Sequence, residues 1–215
     1  MVVVESTGTG TAAGASVAGM TEPQPPLSDR SPSPTRPGSA RSATAATVED
    51  YRHNLETVRA QIVSAAERAG RDAAEIRLLP VSKTVPEERL RIAHAAGITH
   101  MGENKVQEAK RKAENLAGLG IHWAVIGHLQ TNKAKDVAAF ADEFQALDSL
   151  RVAEALDRRL QAAGRDLDVY VQVNSSGETS KFGLEPTEVP AFLKALPTYS
   201  SLRVRGLMTL AAHTD

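Results

Sequence analysis

The 215-residue chain carries 25 basic and 26 acidic side chains, which give a formal net charge of -1 at neutral pH. This balance excludes a strong global attraction for nucleic acid or for an anionic membrane. The chain has no cysteine, which excludes disulfide scaffolds, thiolate nucleophiles and cysteine-based zinc sites. No segment approaches the roughly 20 apolar residues that span a bilayer, and the N-terminus lacks the basic and apolar regions of a secretory signal. We therefore expect a cytoplasmic protein without nucleic-acid or membrane partners.

Composition divides the chain into two predicted regions. Residues 1–46 contain six of the eleven prolines and few large apolar side chains, so they cannot bury enough surface to offset the entropy of ordering. We predict that this region is a disordered low-complexity tail. Residues 47–215 are predicted to form one folded domain, because this length suits a single core. Its first helix is expected to begin after Thr47, as N-cap, and to end near Gly70.

Short apolar runs alternate with segments of helical spacing through the rest of the chain. The alternation predicts right-handed crossovers and a parallel α/β sheet, either doubly wound or closed as a (β/α)8 barrel. A closed barrel needs about two more strands than this sequence contains, so we expect either an open sheet or part of a barrel. The predicted strands are IRLLPVSK, ITHMGE, IHWAVIG, FQALDS, LDVYVQVN and LRVRGLMTL, and the predicted helices cover residues 85–96, 104–117, 130–141, 149–163 and 185–196.

Lys83 ends the first of these strands, in the segment LLPVSKT. Strand periodicity places it on the same face as Leu79 and Val81, where loss of water would favour the neutral amine that attacks carbonyls and forms Schiff bases. Thr84 is expected to cap the following helix, with Glu87 as its capping-box partner. The alternative is a structural lysine that reaches to solvent at the rim of the sheet.

Polar residues follow several other predicted strands. Amides and hydroxyls that meet at one edge suit a small ligand with hydroxyl or phosphate oxygens, although ordinary helix capping explains the same residues. The histidines lack the spacing of a zinc-binding helix, and no Walker, G-x-G-x-x-G or G-x-S-x-G pattern occurs, so we predict no metal site. The polar residues concerned are Glu103, Asn104, Gln130, Thr131, Asn132, Glu178 and Lys181.

Five collinear segments, LLPVSKT, HMGENKVQEAKRK, HWAVIGHLQTNKAK, VYVQVNSSGETSKFG and VRGLMTL, together resemble the pyridoxal phosphate homeostasis protein family. The resemblance implies a (β/α)8 TIM barrel of alanine-racemase type, with about six of the eight strands of such a barrel present. It also implies that pyridoxal 5'-phosphate binds as a Schiff base on Lys83. By the same resemblance Asn104 lies near the ring hydroxyl and Met208 packs by the ring, while Lys181 and His122 lie near the site. These roles are chemically reasonable, since Asn is a hydrogen-bonding amide and Met an adaptable apolar surface.

Members of this family keep vitamin B6 and amino-acid pools in balance and have no established catalytic turnover. The resemblance therefore implies a cofactor-binding homeostasis protein rather than an enzyme, with apoenzymes that use the cofactor as candidate partners, and we expect a monomer. Two enzymatic alternatives stay open. An amino-acid racemase would need a second base on the opposite face of its substrate, and a Schiff-base aldolase on a (β/α)8 barrel would need an acid or base beside the lysine.

The sequence departs from the family at its C-terminal end. Family members continue past the equivalent of Asp215 with one strand that ends in S-M-G-M-S and another that carries R-I-G-T, which supply most of the phosphate cradle. Backbone N–H groups of this kind normally provide much of the anchoring of a phosphate. We therefore expect that this truncated chain binds the cofactor weakly and leaves two sheet edges open.

Overall fold

The computed structural model describes residues 2–4, 47–178 and 181–210. The strands are β1 Val2–Val4, β2 Ile76–Leu78, β3 His100–Glu103, β4 His122–Val125, β5 Glu143–Leu147, β6 Leu167–Val173 and β7 Leu202–Thr209. The α-helices are α1 Val48–Arg68, α2 Glu87–Ala95, α3 Val106–Asn115, α4 Ala134–Phe140, α5 Leu150–Ala163 and α6 Val189–Ala195. All six predicted strands and all six predicted helices are therefore present, with shifts of a few residues at their ends.

The main sheet is parallel and has the order β3-β4-β5-β6-β7. Each strand pairs with the next one in the chain, and the order never reverses. A doubly wound sheet would reverse its strand order at a switch point, whereas a (β/α)8 barrel adds each new strand beside the preceding one. The strand order thus selects the barrel alternative, and the chain folds as part of a (β/α)8 barrel.

The segment that follows β2 extends this sheet by a sixth parallel member. Val81 pairs with Gly102 of β3 in parallel register. The Gly102 N–H donates to the Pro80 carbonyl oxygen at 2.8 Å, and the Ser82 N–H donates to the Gly102 oxygen at 2.9 Å. Pro80 has no N–H to contribute to a ladder, but only its carbonyl oxygen is used here, which explains why a proline is tolerated inside this strand.

The apolar core lies between the sheet and its helices. One cluster of buried side chains joins β5 and β6 to α4 and α5, and includes Phe144, Val169, Val137 and Leu156. A second cluster packs α1 and α2 against β3 and β4 around Trp123. Burying an aliphatic or aromatic side chain of this size contributes about 1.5–3 kcal/mol, so the outer helical layer holds the strands in place.

The first helix begins as predicted. Thr47 Oγ1 accepts from the Asp50 N–H at 3.1 Å, and the Asp50 carboxylate accepts from the Thr47 N–H at 2.9 Å, which completes a capping box. The expected cap of α2 by Thr84 is wrong. That helix begins two residues later, after Pro86, which makes no side-chain capping bond, because the backbone of Thr84 adopts a left-handed conformation with φ of +63°.

The opening valines form an element that the sequence did not predict. Val2–Val4 pair antiparallel with β2, with Val2 opposite Leu78 and Val4 opposite Ile76. Residues 5–46 of the predicted disordered tail lie outside the described residues, so the division into a tail and a domain stays a prediction. Among the described helices, none combines the length and the apolar character needed to cross a membrane.

Candidate functional site

Lys83 and Asn104 follow neighbouring strands at the carboxyl edge of the sheet. Val81 pairs with Gly102 in parallel register, and each of the two residues stands two positions before Lys83 or Asn104, so both follow the carboxyl ends of adjacent segments. Sites of parallel α/β barrels are built at this edge. Both side chains are exposed, so the sequence-predicted amine and amide lie at the same edge of the sheet and are open to solvent.

The burial expected for Lys83 is not found. Leu79, on the same face by strand periodicity, is fully buried, but Lys83 is exposed. It lies beyond Val81, the last residue of this segment to pair with β3, where the chain has left the sheet. The predicted loss of water at the amine is therefore wrong for this structure.

Thr84, the residue after Lys83, carries an unusual backbone conformation. A φ of +63° is uncommon for a β-branched side chain and costs free energy unless neighbouring groups hold it in place. Two hydrogen bonds do so: the Thr84 N–H donates to Glu108 Oε1 at 3.0 Å, and Thr84 Oγ1 donates to the Lys83 carbonyl oxygen at 2.6 Å. The peptide that follows Lys83 is thereby tied to α3.

A buried lysine lies behind this edge and was missed in the sequence. Lys112 on α3 donates to Glu103 Oε1 at 2.6 Å, to Glu108 Oε1 at 2.8 Å and to the Ser82 carbonyl oxygen at 2.8 Å. Ser82 Oγ donates to the same Glu103 oxygen at 2.7 Å. The hydrogen bond from Lys112 holds the pKa of Glu108 below its ordinary value, burial opposes this effect, and the N–H of Thr84 adds to the lowering. The only sequence signal was the Glu–Lys spacing of four residues, which is common on exposed helices.

The segment after β4 brings more polar groups to the same edge. Gly127 packs directly against the backbone of Asn104, and the ring of His128 stacks on that of Phe182 with 4.1 Å between centroids. A cavity of about 490 Å³ opens beside these residues at the start of α5. It is lined by the predicted polar group Gln130, Thr131 and Asn132 together with His128, Leu129, Ser149, Arg151 and Val152.

Lys181 and Met208 lie near the ends of β6 and β7. Lys181 pairs with Glu178 at 2.7 Å, and this hydrogen bond lowers the pKa of the Glu178 carboxyl. Met208 is buried and stands opposite Gln172 in the register of the two strands. The Gln172 amide donates to the Phe182 carbonyl oxygen at 3.1 Å, which holds the segment after β6 over the sheet. Both predicted residues therefore belong to the carboxyl edge.

His122 lies at the other end of its strand. It is the first residue of β4, and its ring stacks on that of His100 with 4.7 Å between centroids. Burial, followed by the neighbouring His122 and Arg77, lowers the pKa of His100. The geometry thus does not bring His122 together with Lys83 and Asn104, and its predicted place near the cofactor gains no support.

A second charged pair lies beside these histidines. Arg77 Nη2 donates to Glu143 Oε2 at 2.8 Å. Burial raises the pKa of Glu143, but the hydrogen bonds from Arg77 and Gln145 outweigh this effect and leave it lowered. Within the described ranges no group of three or more His, Cys, Asp or Glu side chains is arranged to hold a metal ion.

Comparison with known proteins identifies the class to which the chain belongs. The family model for the N-terminal domain of alanine racemase matches residues 50–215, so the chain is a barrel protein of the alanine racemase N-terminal type. Proteins named "Pyridoxal phosphate homeostasis protein" are 42% identical over 161 residues in Pseudomonas aeruginosa (75% of this chain, 70% of the relative) and 40% identical over 168 residues in Escherichia coli (77% and 72%). The chain belongs to the pyridoxal phosphate homeostasis protein family.

Solved structures agree with this assignment. A protein of unknown function from Bifidobacterium adolescentis has a TM-score of 0.72 at 34% identity, over 78% of this chain and 72% of that one. PipY of Synechococcus elongatus, solved with pyridoxal phosphate bound, has a TM-score of 0.63 at 32% identity, over 75% and 70%. An alanine racemase of Clostridium difficile, at 15% identity and a TM-score of 0.54 over 63% of this chain and 36% of that one, shares the fold alone. The resemblance seen in the five sequence segments is thus confirmed.

Proposed function

We propose that this chain binds pyridoxal 5'-phosphate as a Schiff base on Lys83 and serves in the balance of that cofactor and of amino acids in the cell, without catalytic turnover. The observation that supports the proposal is that an exposed amine, Lys83, and an exposed amide, Asn104, both follow adjacent parallel segments at the carboxyl edge of the sheet. The names of the relatives and the bound ligand of PipY support the same ligand class.

The residues at this edge fit the groups of the cofactor. Lys83 would hold the cofactor through its amine, in a condensation with the aldehyde that would release water and would need neither an oxidant nor a further reactant. This reaction requires that the aldehyde can reach the amine, and the exposed side chain of Lys83 meets that requirement. The cofactor itself supplies the reactive carbonyl and an electron-accepting ring, and the protein supplies placement.

The other predicted residues take supporting roles in this proposal. Asn104 provides an amide that hydrogen-bonds the ring oxygen, and Met208 provides an adaptable apolar surface near the end of β7. Lys181 adds a cation to the same edge, although its ammonium is paired with Glu178. The cavity at the start of α5 offers donors of the kind that bind phosphate oxygens, from Gln130, Thr131 and Asn132. His122, at the opposite end of β4, has no part in this arrangement.

A storage or delivery role follows from the chemistry of the bond. A Schiff base is reversible in water, so the cofactor on Lys83 remains transferable to the lysine of another protein. We therefore propose apoenzymes that use the cofactor as recipients, with the chain acting as a monomer in the cytoplasm. The absence of cysteine and the near-zero net charge are compatible with that compartment.

The test is an absorption titration of the protein with pyridoxal 5'-phosphate, followed by borohydride reduction and peptide mass mapping. We expect a saturable visible band and a single adduct on Lys83, both lost in Lys83→Ala and both retained in Lys135→Ala, which removes an exposed lysine of α4. A folded protein without the band, or with adducts spread over many lysines, would contradict the proposal. Exchange between D- and L-alanine, assayed on the loaded protein, should stay at the level of the buffer; measurable exchange would favour the racemase alternative.

A further inference from the structure

The buried ammonium of Lys112 is an unusual feature of this sheet edge. Its side chain is 0% exposed, and its three acceptors are the Ser82 carbonyl oxygen, Glu103 and Glu108. An ammonium group has three donors, so every N–H of Lys112 is used. No proposed contact with the cofactor involves this lysine. Its role therefore depends on the groups that accept its hydrogen bonds.

The acceptors of Lys112 lie on both sides of Lys83. The first is the carbonyl oxygen of Ser82, the residue immediately before it, at 2.8 Å. Glu108, the second, uses the same Oε1 atom to accept from Lys112 and from the N–H of Thr84, the residue immediately after Lys83. The two peptides that flank Lys83 are thus fixed to one ammonium group through α3.

The third acceptor extends the same connection to the next strand. Glu103 is the last residue of β3 and directly precedes Asn104. Its Oε1 atom accepts from Lys112 and from the Ser82 hydroxyl. Lys112 therefore joins the backbone beside Lys83 to the backbone beside Asn104, the two residues on which the proposed function depends.

Stability alone is a poor reason for this arrangement. Taking an ammonium and a carboxylate such as Lys112 and Glu103 out of water costs free energy that their attraction barely repays, and apolar replacements are often as stable. A left-handed threonine next to the reactive lysine adds a further local cost. Groups held at such cost are typical of places where a fixed geometry is needed.

We infer that Lys112 and Glu108 are positioning residues for Lys83, because they hold the peptide groups on both sides of it and so fix the direction in which its side chain leaves the backbone. The inference rests on the proposed function. A ligand that finds its lysine already oriented loses less conformational freedom on binding, and binds more tightly for that reason.

Glu108 offers the cleanest test, because Lys112→Met would leave two carboxylates near the core without their cation and risk misfolding. Glu108→Ala removes the acceptor of the Thr84 N–H, and Glu108→Gln retains an acceptor oxygen without the charge. The matched control is Asp136→Ala, which breaks the 2.9 Å pair between Lys110 of α3 and α4. Its carboxylate is 26% exposed, close to the 22% of Glu108.

We expect pyridoxal 5'-phosphate to bind Glu108→Ala about tenfold more weakly and Glu108→Gln about threefold more weakly than wild type, whereas Asp136→Ala stays within about twofold. Reductive methylation of Lys83 by formaldehyde and cyanoborohydride should proceed at equal rates in all four proteins, because so small an aldehyde needs no orientation. A purely structural role would lower the unfolding midpoint and change both reactions together.

Amide hydrogen exchange of Thr84, measured on the protein without cofactor, gives an independent readout. The exchange should be slow in wild type and Asp136→Ala and at least tenfold faster in Glu108→Ala. Equal exchange in wild type and Glu108→Ala, or equal affinity of Glu108→Ala and Asp136→Ala for the cofactor, would overturn the inference. A wild-type chain with a protected Thr84 amide but no adduct on Lys83 would instead overturn the proposed function.

Discussion

A Cβ atom at position 127 would lie 2.1 Å from the carbonyl oxygen of Asn104, so Gly127 and Asn104 are in direct backbone contact. Real side chains do not approach so closely, and backbone cannot yield as the end of a flexible side chain does. The segment after β4 therefore fixes the backbone of the residue that we expect to meet the ring of the cofactor.

Gly127→Ala should consequently damage both the fold and the site. We expect a loss of about 2 kcal/mol or more in the free energy of unfolding, together with weaker cofactor binding, since relief of the clash has to move Asn104. Chemical denaturation and an absorption titration measure the two effects. Gly118→Ala is the control, because nothing lies within 4 Å of its added methyl group, and it should change stability by no more than about 0.5 kcal/mol. Equal effects of the two substitutions would show that the contact is unimportant.

Asn104→Ala tests the role of the amide itself. The side chain is exposed, so we expect little loss of stability, but cofactor affinity should fall about three- to tenfold, as for the loss of one hydrogen bond worth about 0.5–1.5 kcal/mol. The visible band should also shift, because the amide would no longer contact the ring oxygen. Asn115→Ala removes an exposed amide that pairs with Glu87 and should leave both affinity and spectrum unchanged. An unchanged titration of Asn104→Ala would remove this residue from the site.

Arg77→Leu tests the ion pair at the amino end of the sheet. The Arg77 and Glu143 side chains are only 24% and 12% exposed, so loss of the cation leaves a poorly hydrated carboxylate and should cost about 2–3 kcal/mol at neutral pH. Arg71→Leu breaks an exposed pair with Glu75 and should cost no more than about 1 kcal/mol.

Low pH should remove the difference in stability between wild type and Arg77→Leu. The lowered pKa of Glu143 means that its stabilising charge is fully present above the ordinary glutamate pKa of about 4.3 and is lost as pH falls through the lower folded value. The gap between wild type and Arg77→Leu should thus narrow below pH ~4. Urea denaturation at a series of pH values measures the difference in unfolding free energy between the two proteins. A difference that stays constant with pH would show that the Arg77–Glu143 pair is not responsible.

His100 should give the protein a second dependence on pH. Its folded pKa is lowered by burial and by nearby His122 and Arg77, against opposing effects of Glu143 and Asp142. The unfolded chain therefore binds a proton first, and stability falls as pH drops below the ordinary histidine value of about 6.5. His100→Gln should flatten the change in unfolding free energy between about pH 7.5 and 5.5. His53→Gln, an exposed substitution on α1, should leave the slope intact; if both variants keep it, another group is responsible.

Periodicity predicted the strands and helices well, because each buried strand has one apolar run and each helix one apolar face. It could not predict the exposure of Lys83, which depends on where the chain leaves the sheet after Val81, or the left-handed backbone of Thr84, which depends on a carboxylate from α3. The role of Lys112 could not be predicted, since two of its three acceptors, Ser82 and Glu103, come from segments that only the fold brings to α3. The place of His122 came from resemblance alone, whereas its position as the first residue of β4 puts it at the far end of the strand.

The order of the strands bears on how the protein is made. In the sheet β3-β4-β5-β6-β7 every strand pairs with the one translated just before or just after it, so hydrogen-bonded neighbours are separated by only one helix. Contacts between nearby segments form quickly, and chains generally fold from the N-terminus during synthesis. Each new strand of this sheet can therefore pair with the preceding strand as soon as it leaves the ribosome. Its pairing does not depend on a segment that is far away in the sequence.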